Sequence, residues 1–314
     1  MLYNIGNSIH RASAFGMRTR VDLFLTGCHH MLKPPLTVDE QISLLQSRGM
    51  IIADYSQAKA FLLQNNYYRL NVYFHKFMDR DDHYPKATKF ETILQIYEND
   101  QWLRNKLLGI LEPIEIHAKT SIAYHMGLKY GSGCFYNDEI HDDLQNLKGV
   151  KNSFLRELDH NKQEPFVLHH QQIYDGQFPI WVIVELFSFS TISKYYSCLN
   201  NKDKSEIATN AFHVNDDFLG SWFRSLSVLR NICAHFGYLF RRSFSVAPRL
   251  YKELNLDSQV NQSLFALFLV TRRLSTDQKW SEFISTVSNR EEDEVGFYLA
   301  DYGFPTEWKE YLLN

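Results

Sequence analysis

Apolar residues along this chain recur mostly at intervals of three and four, the period of a helix packed on one side. From Phe90 to Tyr130 the series Ile93, Tyr97, Leu103, Leu107, Ile110, Ile114, Ala118 and Ile122 predicts one long helical stretch. Pro113 should kink or split it, and Gly131-Ser132-Gly133 should end it. Upstream, Thr37-Val38-Asp39-Glu40 has the form of a capping box, so a helix is expected from there through Ser47, with Gly49 just past its end. A second helix is expected from about Tyr55 to Asn65, followed by an aromatic stretch from Asn66 to Phe74. Further helices are predicted over 142–160, 180–199, 203–211, 216–242, 260–274 and 277–289. No run alternates with a period of two for long enough to demand a sheet, and no internal repeat stands out. The fold class is therefore all-α, a helical bundle.

Residues 1–30 show no sustained period and read as an N-terminal arm, with disorder an open alternative. The polar, proline-bearing loop from Asp79 to Pro85 marks the strongest internal boundary. It divides an N-terminal helical segment, 31–82, from a main helical domain with C-terminal helices, 83–314. The composition is that of a globular chain, 45% hydrophobic and 22% charged, and the net charge is only −3. Any polyanion site must therefore come from local clustering. Aromatic residues reach 15%, which fits a bulky core better than a set of base-stacking surfaces. Cys28, Cys134, Cys198 and Cys233 are too scattered for a disulfide framework or a zinc ribbon, which suggests a reducing compartment. The longest apolar run, Ile180 to Phe189, is interrupted by Glu185 and is much shorter than a membrane span, and the N-terminus lacks a signal-peptide core. A soluble cytoplasmic protein without a membrane partner is expected.

One segment concentrates charge. Residues 218–249 hold Arg224, Arg230, Arg241, Arg242 and Arg249 and no Asp, Glu or Lys. The segment is thus +5, and the rest of a chain whose net charge is −3 carries −8. Turned at about 100° per residue, Leu219, Trp222, Leu226, Leu229, Cys233, Phe236 and Phe240 form one core-facing stripe. Arg230, Ala234, Ser227, Tyr238, Asn231, Arg224 and His235 fall opposite, on a single polar face that Arg241 and Arg242 extend. Arg230 and His235 flank this face with only Ala234 and Asn231 between them, which leaves room for a substrate group. A guanidinium binds phosphate through two parallel bonds, and an imidazole can exchange a proton near neutral pH. Together they suit cleavage of an RNA backbone. An arginine and a histidine on the solvated face of an amphipathic helix are also common without any such role.

Five blocks in order resemble the Abi-like family of bacterial abortive-infection proteins (the AbiD/AbiF group), whose C-terminal part is placed in the HEPN superfamily. They are KPPLTVDEQISLLQSRGM, NNYYRLNVY, FETILQIYENDQWLRNKLLGILEPIEIHAKTSI, FPIWVIVELFSFSTISKYYSCL and SWFRSLSVLRNICAH, spread from Lys33 to His235. The resemblance implies a HEPN-type bundle with an N-terminal extension and a metal-independent ribonuclease motif that falls on Arg230 and His235, with Asn231 as its polar second position. It also implies RNA cleavage by 2′-hydroxyl attack, no cofactor, and a homodimer with a composite site. Arg224, Tyr238, Arg241 and Arg242 are expected to contact RNA. The chain departs from the family where Phe236 to Phe240 follow His235, and where Lys119 stands in place of an arginine after Glu112 and Glu115.

Other candidates have competing readings. Glu112 and Glu115 could serve as an acid/base pair, but fit better as partners of Arg104, Lys119 or an arginine of the basic helix. Glu185, inside an apolar run, should be partly buried and paired with one of those arginines. His29-His30, His117, His125 and His169-His170 lack metal-ligand spacing, so no metal is expected. Tyr67, Tyr68 and Arg69 could meet RNA, yet an aromatic cluster at a helix end is more often core. No Walker A loop, dinucleotide fingerprint or nucleophile elbow is present in the sequence. Three functions remain: a ribonuclease of phage defence, an RNA-binding module of a defence or toxin–antitoxin system that holds RNA without cutting it, and a helical interaction protein with no RNA role, which leaves the segregated arginines unexplained. The first two leave room for a regulatory RNA or protein partner.

Overall fold

The computed structural model describes residues 34–313 apart from 86, 255, 258–259 and 294–295; the arm expected at 1–30 lies outside the described residues. The capping box forms as the sequence requires. The Thr37 N–H donates to Glu40 Oε2 at 2.7 Å and the Glu40 N–H to Thr37 Oγ1 at 3.3 Å, opening helix α1 (Val38–Ser47). Helix α2 (Tyr55–Gln64) starts at Asp54, whose carboxylate accepts from the Gln57 N–H. The aromatic stretch folds as a third helix, α3 (Tyr67–His75), capped by Asn66. The chain then returns to Ile51, whose N–H donates to the Thr88 carbonyl and whose carbonyl accepts from the Phe90 N–H, both at 2.9 Å. That bridge fixes where the next helix begins.

Helix α4 (Phe90–Tyr130) has 41 residues and is about 60 Å long. It runs through Pro113 without splitting, so of the two expected outcomes, a kink or a split, the split does not occur. A proline leaves the carbonyl four residues back without its donor, here that of Gly109. Both residues are exposed, so this carbonyl can turn to water, and glycine adds no side chain to the crowding. All eight apolar positions of the predicted series are buried.

The remaining helices are α5 (Leu144–His160), α6 (Pro165–Ile173), α7 (Ile180–Ile183), α8 (Phe189–Cys198), α9 (Asn201–Phe212), α10 (Asp216–Ala234), α11 (Leu264–Leu274), α12 (Asp277–Asp293) and α13 (Trp308–Leu312). The single helix expected over 180–199 is two, because Phe187 is extended and the Ser188 hydroxyl caps a new start by accepting from the Thr191 N–H at 3.2 Å. The described residues form an all-α bundle with no strand, and isolated bridges at Ile51–Lys89 and His141–Leu199 tie connections together. One continuous core runs from Ile42 to Leu312, so α1 to α3 share it with the later helices. Cys134, Cys198 and Cys233 are free and buried, and burial pushes their thiols up to about 11, 11 and 12. No helix among the described residues is long and apolar enough to cross a membrane.

Helix α10 packs against α4, α8, α9 and α11, and its stripe Leu219, Trp222, Leu226, Leu229 and Cys233 is fully buried. It ends at Ala234, well short of the expected 242. The cause is a polar anchor in α4. Asp100, with 0% of its surface exposed, accepts from the Tyr73 hydroxyl at 2.6 Å, from Arg104 Nη1 at 2.9 Å, and from the N–H groups of Leu239 and Phe240 at 2.9 and 3.0 Å. Arg104 also reaches the Gly237 carbonyl. Burial raises the Asp100 carboxyl above its ordinary value, and these four donors pull it back toward the charged form.

Asp100→Ala should cost about 3–5 kcal/mol, because it strands a buried guanidinium and orphans two backbone donors. Asp100→Asn, which retains one acceptor oxygen, should cost less. Urea unfolding of the two variants beside wild type measures both effects.

Candidate functional site

Arg104 of α4 reaches Gly237 just past the end of α10, and Glu115, further along α4, reaches Arg230, further back on α10. The two helices are therefore antiparallel neighbours, and the candidate residues sit along their shared rim. The Arg230 Nε donates to Glu115 Oε2 at 3.1 Å. Glu115 is nearly buried, and its other oxygen lies 3.8 Å from Lys119 Nζ. Of the two readings of Glu115, the partner role is the one realised: it holds Arg230 and Lys119 together. Only Nε of Arg230 is engaged, so both terminal amino nitrogens remain without a partner among the described residues, on a side chain 34% exposed. The two terminal nitrogens form an edge of the guanidinium that can bind phosphate through two parallel bonds.

His235 stands at the C-cap of α10, exposed, and its imidazole makes no hydrogen bond to a described residue. The exit that follows is a Schellman turn. The Phe236 N–H donates to the Cys233 carbonyl and the Gly237 N–H to the Ile232 carbonyl at 2.7 Å. The left-handed position of such a turn usually holds glycine, yet here it holds Phe236, at φ +59°. Glycine comes one residue later for a different reason: a Cβ at Gly237 would lie 2.9 Å from the Ile232 side chain and 3.1 Å from its carbonyl oxygen.

These facts correct the helical-wheel reading beyond residue 234. Phe236 is not core but 65% exposed; Phe240 is buried, though through the loop and against Tyr73 and Phe77. Tyr238 lies in the loop, and Ser227 is buried. Asn231 is half-buried and donates to Ser190 Oγ on α8 at 2.9 Å, so its amide already joins two helices. The polar side of α10 is thus largely packed against α4 and α8. Glu185 is also corrected: its side chain is exposed and makes no ion pair with a described residue, and only its carbonyl is used, by Lys119 at 3.4 Å. An apolar run suggests burial, but Glu185 falls on the turn between α7 and α8, where the chain faces outward.

The five arginines divide by task. Arg230 pairs with Glu115, Arg249 with Asp217 and Arg241 with Asp301, the last at 2.7 Å. The Arg241 backbone N–H also donates to the Asp301 carbonyl, and its guanidinium lies over Phe77 and Phe240, so Arg241 latches the loop. Arg224 and Arg242 have no carboxylate partner among the described residues. Arg242 lies over the Tyr238 ring, 4.7 Å from its centroid, and donates to the Tyr238 carbonyl.

Two cations, Arg69 of α3 and Lys76 at its C-terminal cap, join this surface, and the charge count of 218–249 could not reveal them. Arg69 Nη1 donates to the Phe236 carbonyl at 3.1 Å, and Lys76 Nζ donates to the Arg241 carbonyl at 3.0 Å beside the Tyr238 ring. Burial and the neighbouring Arg241 and Arg242 lower the Lys76 pKa. The sequence signal was present only in Arg69, within the aromatic cluster. Of that cluster Tyr67 packs on the core while Tyr68 is exposed.

A second polar cluster lies where α4 meets α9. The ligand atoms of His125, Asp203 and Glu206 lie within 4.8 Å of one another, the spacing of a cation site. Lys129 Nζ already bridges the two carboxylates, at 2.6 Å from Asp203 and 2.8 Å from Glu206. Burial alone would raise the Asp203 pKa, but bonds from His125, Lys129 and Tyr130 outweigh it and hold the carboxyl below its ordinary value.

Among known families, the model described as Abi-like protein matches residues 60–241, more than half of the chain. The chain belongs to the Abi-like family. No curated protein and no solved structure matches it. The Abi-like match takes in the second half of α2, all of α3 to α10 and the loop through Arg241, and so includes Arg69, Lys76, Asp100, Glu115, Arg230 and His235.

Because Gly237 sits against Ile232, Gly237→Ala should force the turn open and destabilise this Abi-like chain by about 1–3 kcal/mol. A fall in the urea midpoint at unchanged slope would show it. A midpoint equal to wild type would mean that Ile232 can move aside.

Proposed function

We propose that this Abi-like protein is a metal-independent endoribonuclease of HEPN type acting in abortive infection against phage. The observation that carries the reading is the state of two side chains at one helix end: Arg230 steadied through Nε with its terminal nitrogens unengaged, and the imidazole of His235 exposed. In the proposed reaction the RNA 2′-hydroxyl attacks the adjacent phosphorus, and the 5′ oxygen of the next nucleotide leaves. The products are a 2′,3′-cyclic phosphate and a 5′-hydroxyl. His235 moves a proton from the attacking hydroxyl or to the leaving oxygen, and Arg230 neutralises charge that develops on the phosphorane. Glu115 and Lys119 act as positioning residues for Arg230, while Arg224, Arg242, Arg69 and Lys76 attract the backbone.

One imidazole cannot be both base and acid in the same step, so a homodimer in which two copies of Arg230 and His235 face one another completes the site. Beside the Glu115–Lys119 pair, α4 exposes Ile116, Tyr124 and Leu128, an apolar strip that a second copy would cover. Repulsion between the two basic faces should make that dimer sensitive to salt and to bound anions. The second reading, an RNA-binding module that does not cut, is favoured by the lack of any described partner to orient His235.

Incubating purified protein with total RNA in EDTA and mapping the cut ends separates the two. His235→Ala should abolish cleavage with little loss of RNA affinity, and Arg230→Lys should remain poor because an ammonium lacks the planar fork. Arg242→Ala should weaken binding and reduce its salt slope by about one, leaving single-turnover cleavage at saturating RNA intact. Cutting by His235→Ala at the wild-type rate would dismiss the mechanism.

A further inference from the structure

The residue after His235 is used neither by the core nor by the chemistry proposed for Arg230 and His235. Phe236 exposes 65% of its surface. Its backbone occupies the left-handed region at φ +59°, a position that glycine fills without steric conflict. A bulky residue held there is unfavourable for the turn, and strain of this kind gathers at sites of ligand contact. The ring gains nothing from the core in return.

The orientation of Phe236 is fixed from outside the turn. Arg69 of α3 holds its carbonyl through Nη1 at 3.1 Å, and the Arg69 guanidinium carbon lies over the ring, 5.6 Å from its centroid. The same loop presents Tyr238 with Lys76 and Arg242 on its ring, at 6.0 and 4.7 Å. The two carboxylates that hold this loop are both engaged, Asp301 by Arg241 and the buried Asp100 by Tyr73, Arg104 and the loop's own N–H groups. The surface therefore alternates aromatic rings with cations and offers no free acid among these residues. An apolar protein partner would want the ring without the charges, and a bare phosphate would want the charges without the ring. A single-stranded nucleic acid uses both, since each nucleotide brings one π face and one negative charge.

We propose that Phe236, flanked by Arg69, is a stacking platform for an unpaired nucleobase of the bound RNA, next to the nucleotide whose phosphate meets Arg230. The assignment rests on the RNA reading above and adds to it a positioning residue and a substrate class. A platform of this kind takes a splayed single strand, because a base inside a duplex has both faces covered. It fixes which nucleotide lies at His235 through stacking instead of base-edge hydrogen bonds, so it tolerates different bases.

The test uses the full chain carrying His235→Ala, so that RNA stays intact, with short single-stranded RNAs bearing 2-aminopurine at successive positions. Stacking on Phe236 should quench the fluorescence at one position. Phe236→Trp should retain the quench. Phe236→Gly relaxes the turn, so its melting temperature should equal or exceed that of the parent, yet the quench should vanish and affinity should fall about 5- to 100-fold with an unchanged salt slope. Arg69→Ala should weaken binding and also flatten the salt slope.

A Phe236→Gly protein that binds and quenches within twofold of its parent overturns the platform. So does one that changes only in self-association, which would make Phe236 a protein contact. A parent that binds no RNA at low salt overturns it as well. Failure of the ribonuclease reading looks different: wild type would not cut, while the position-specific quench and its loss in Phe236→Gly would persist.

Discussion

Four donors converge on the carboxylate of Asp100, and the course of the chain around the candidate site follows from that convergence. A carboxylate with no exposed surface would be strongly unfavourable if its lone pairs were unmet. Here a hydroxyl from α3, a guanidinium from α4 and two successive backbone N–H groups meet them. Those two N–H groups can reach Asp100 only if the chain leaves the helical path before Leu239. Helix α10 therefore ends at Ala234, and His235 stands at a corner instead of along a helix side. The same loop is held a second time where Arg241 engages Asp301, so the corner is braced from α4 and from the C-terminal part of the chain.

The corner gives the polar groups distinct tasks. Arginines that look equivalent in a charge count are not equivalent in the fold. Arg241 and Arg249 are tied to carboxylates, Arg230 is steadied by one but keeps its two terminal nitrogens unengaged, and Arg224 and Arg242 have no acid partner among the described residues. The positive surface is then completed by Arg69 and Lys76, which come from 150 or more residues away in the chain. Steadying an arginine through Nε is an inexpensive form of preorganisation, because the fork that meets phosphate keeps its donors.

Local sequence preferences give way at three places, each for a stated reason. Pro113 does not break α4 because the carbonyl it deprives belongs to exposed Gly109. The apolar run from Ile180 breaks because the Ser188 hydroxyl offers a cap at the point where Phe187 turns extended. Phe236 takes a glycine's backbone region while the neighbouring glycine is reserved for close contact with Ile232. The first two are ordinary consequences of solvation and capping. The third is strain with no packing return, which is why it draws attention as a point of ligand contact.

The sequence by itself determined the helical class, the Thr37 capping box, the buried series of α4 and the stripe of α10 as far as Cys233, because each depends on residues within a few turns of one another. It also marked Arg230 and His235 through charge segregation and through resemblance to the Abi-like family. It could not end α10 at Ala234, since the groups that capture the loop are Asp100 and Arg104, more than 130 residues earlier. For the same reason the wheel misplaced Phe236 and Tyr238, the apolar run misjudged Glu185, no local pattern joined Lys76 to the site, and Arg69 was legible only as part of an aromatic cluster with no link to His235. Periodicity reports which side of an element is apolar. Only the tertiary structure decides which distant donor meets which buried acceptor, because that pairing is made across the core and leaves no period in the chain.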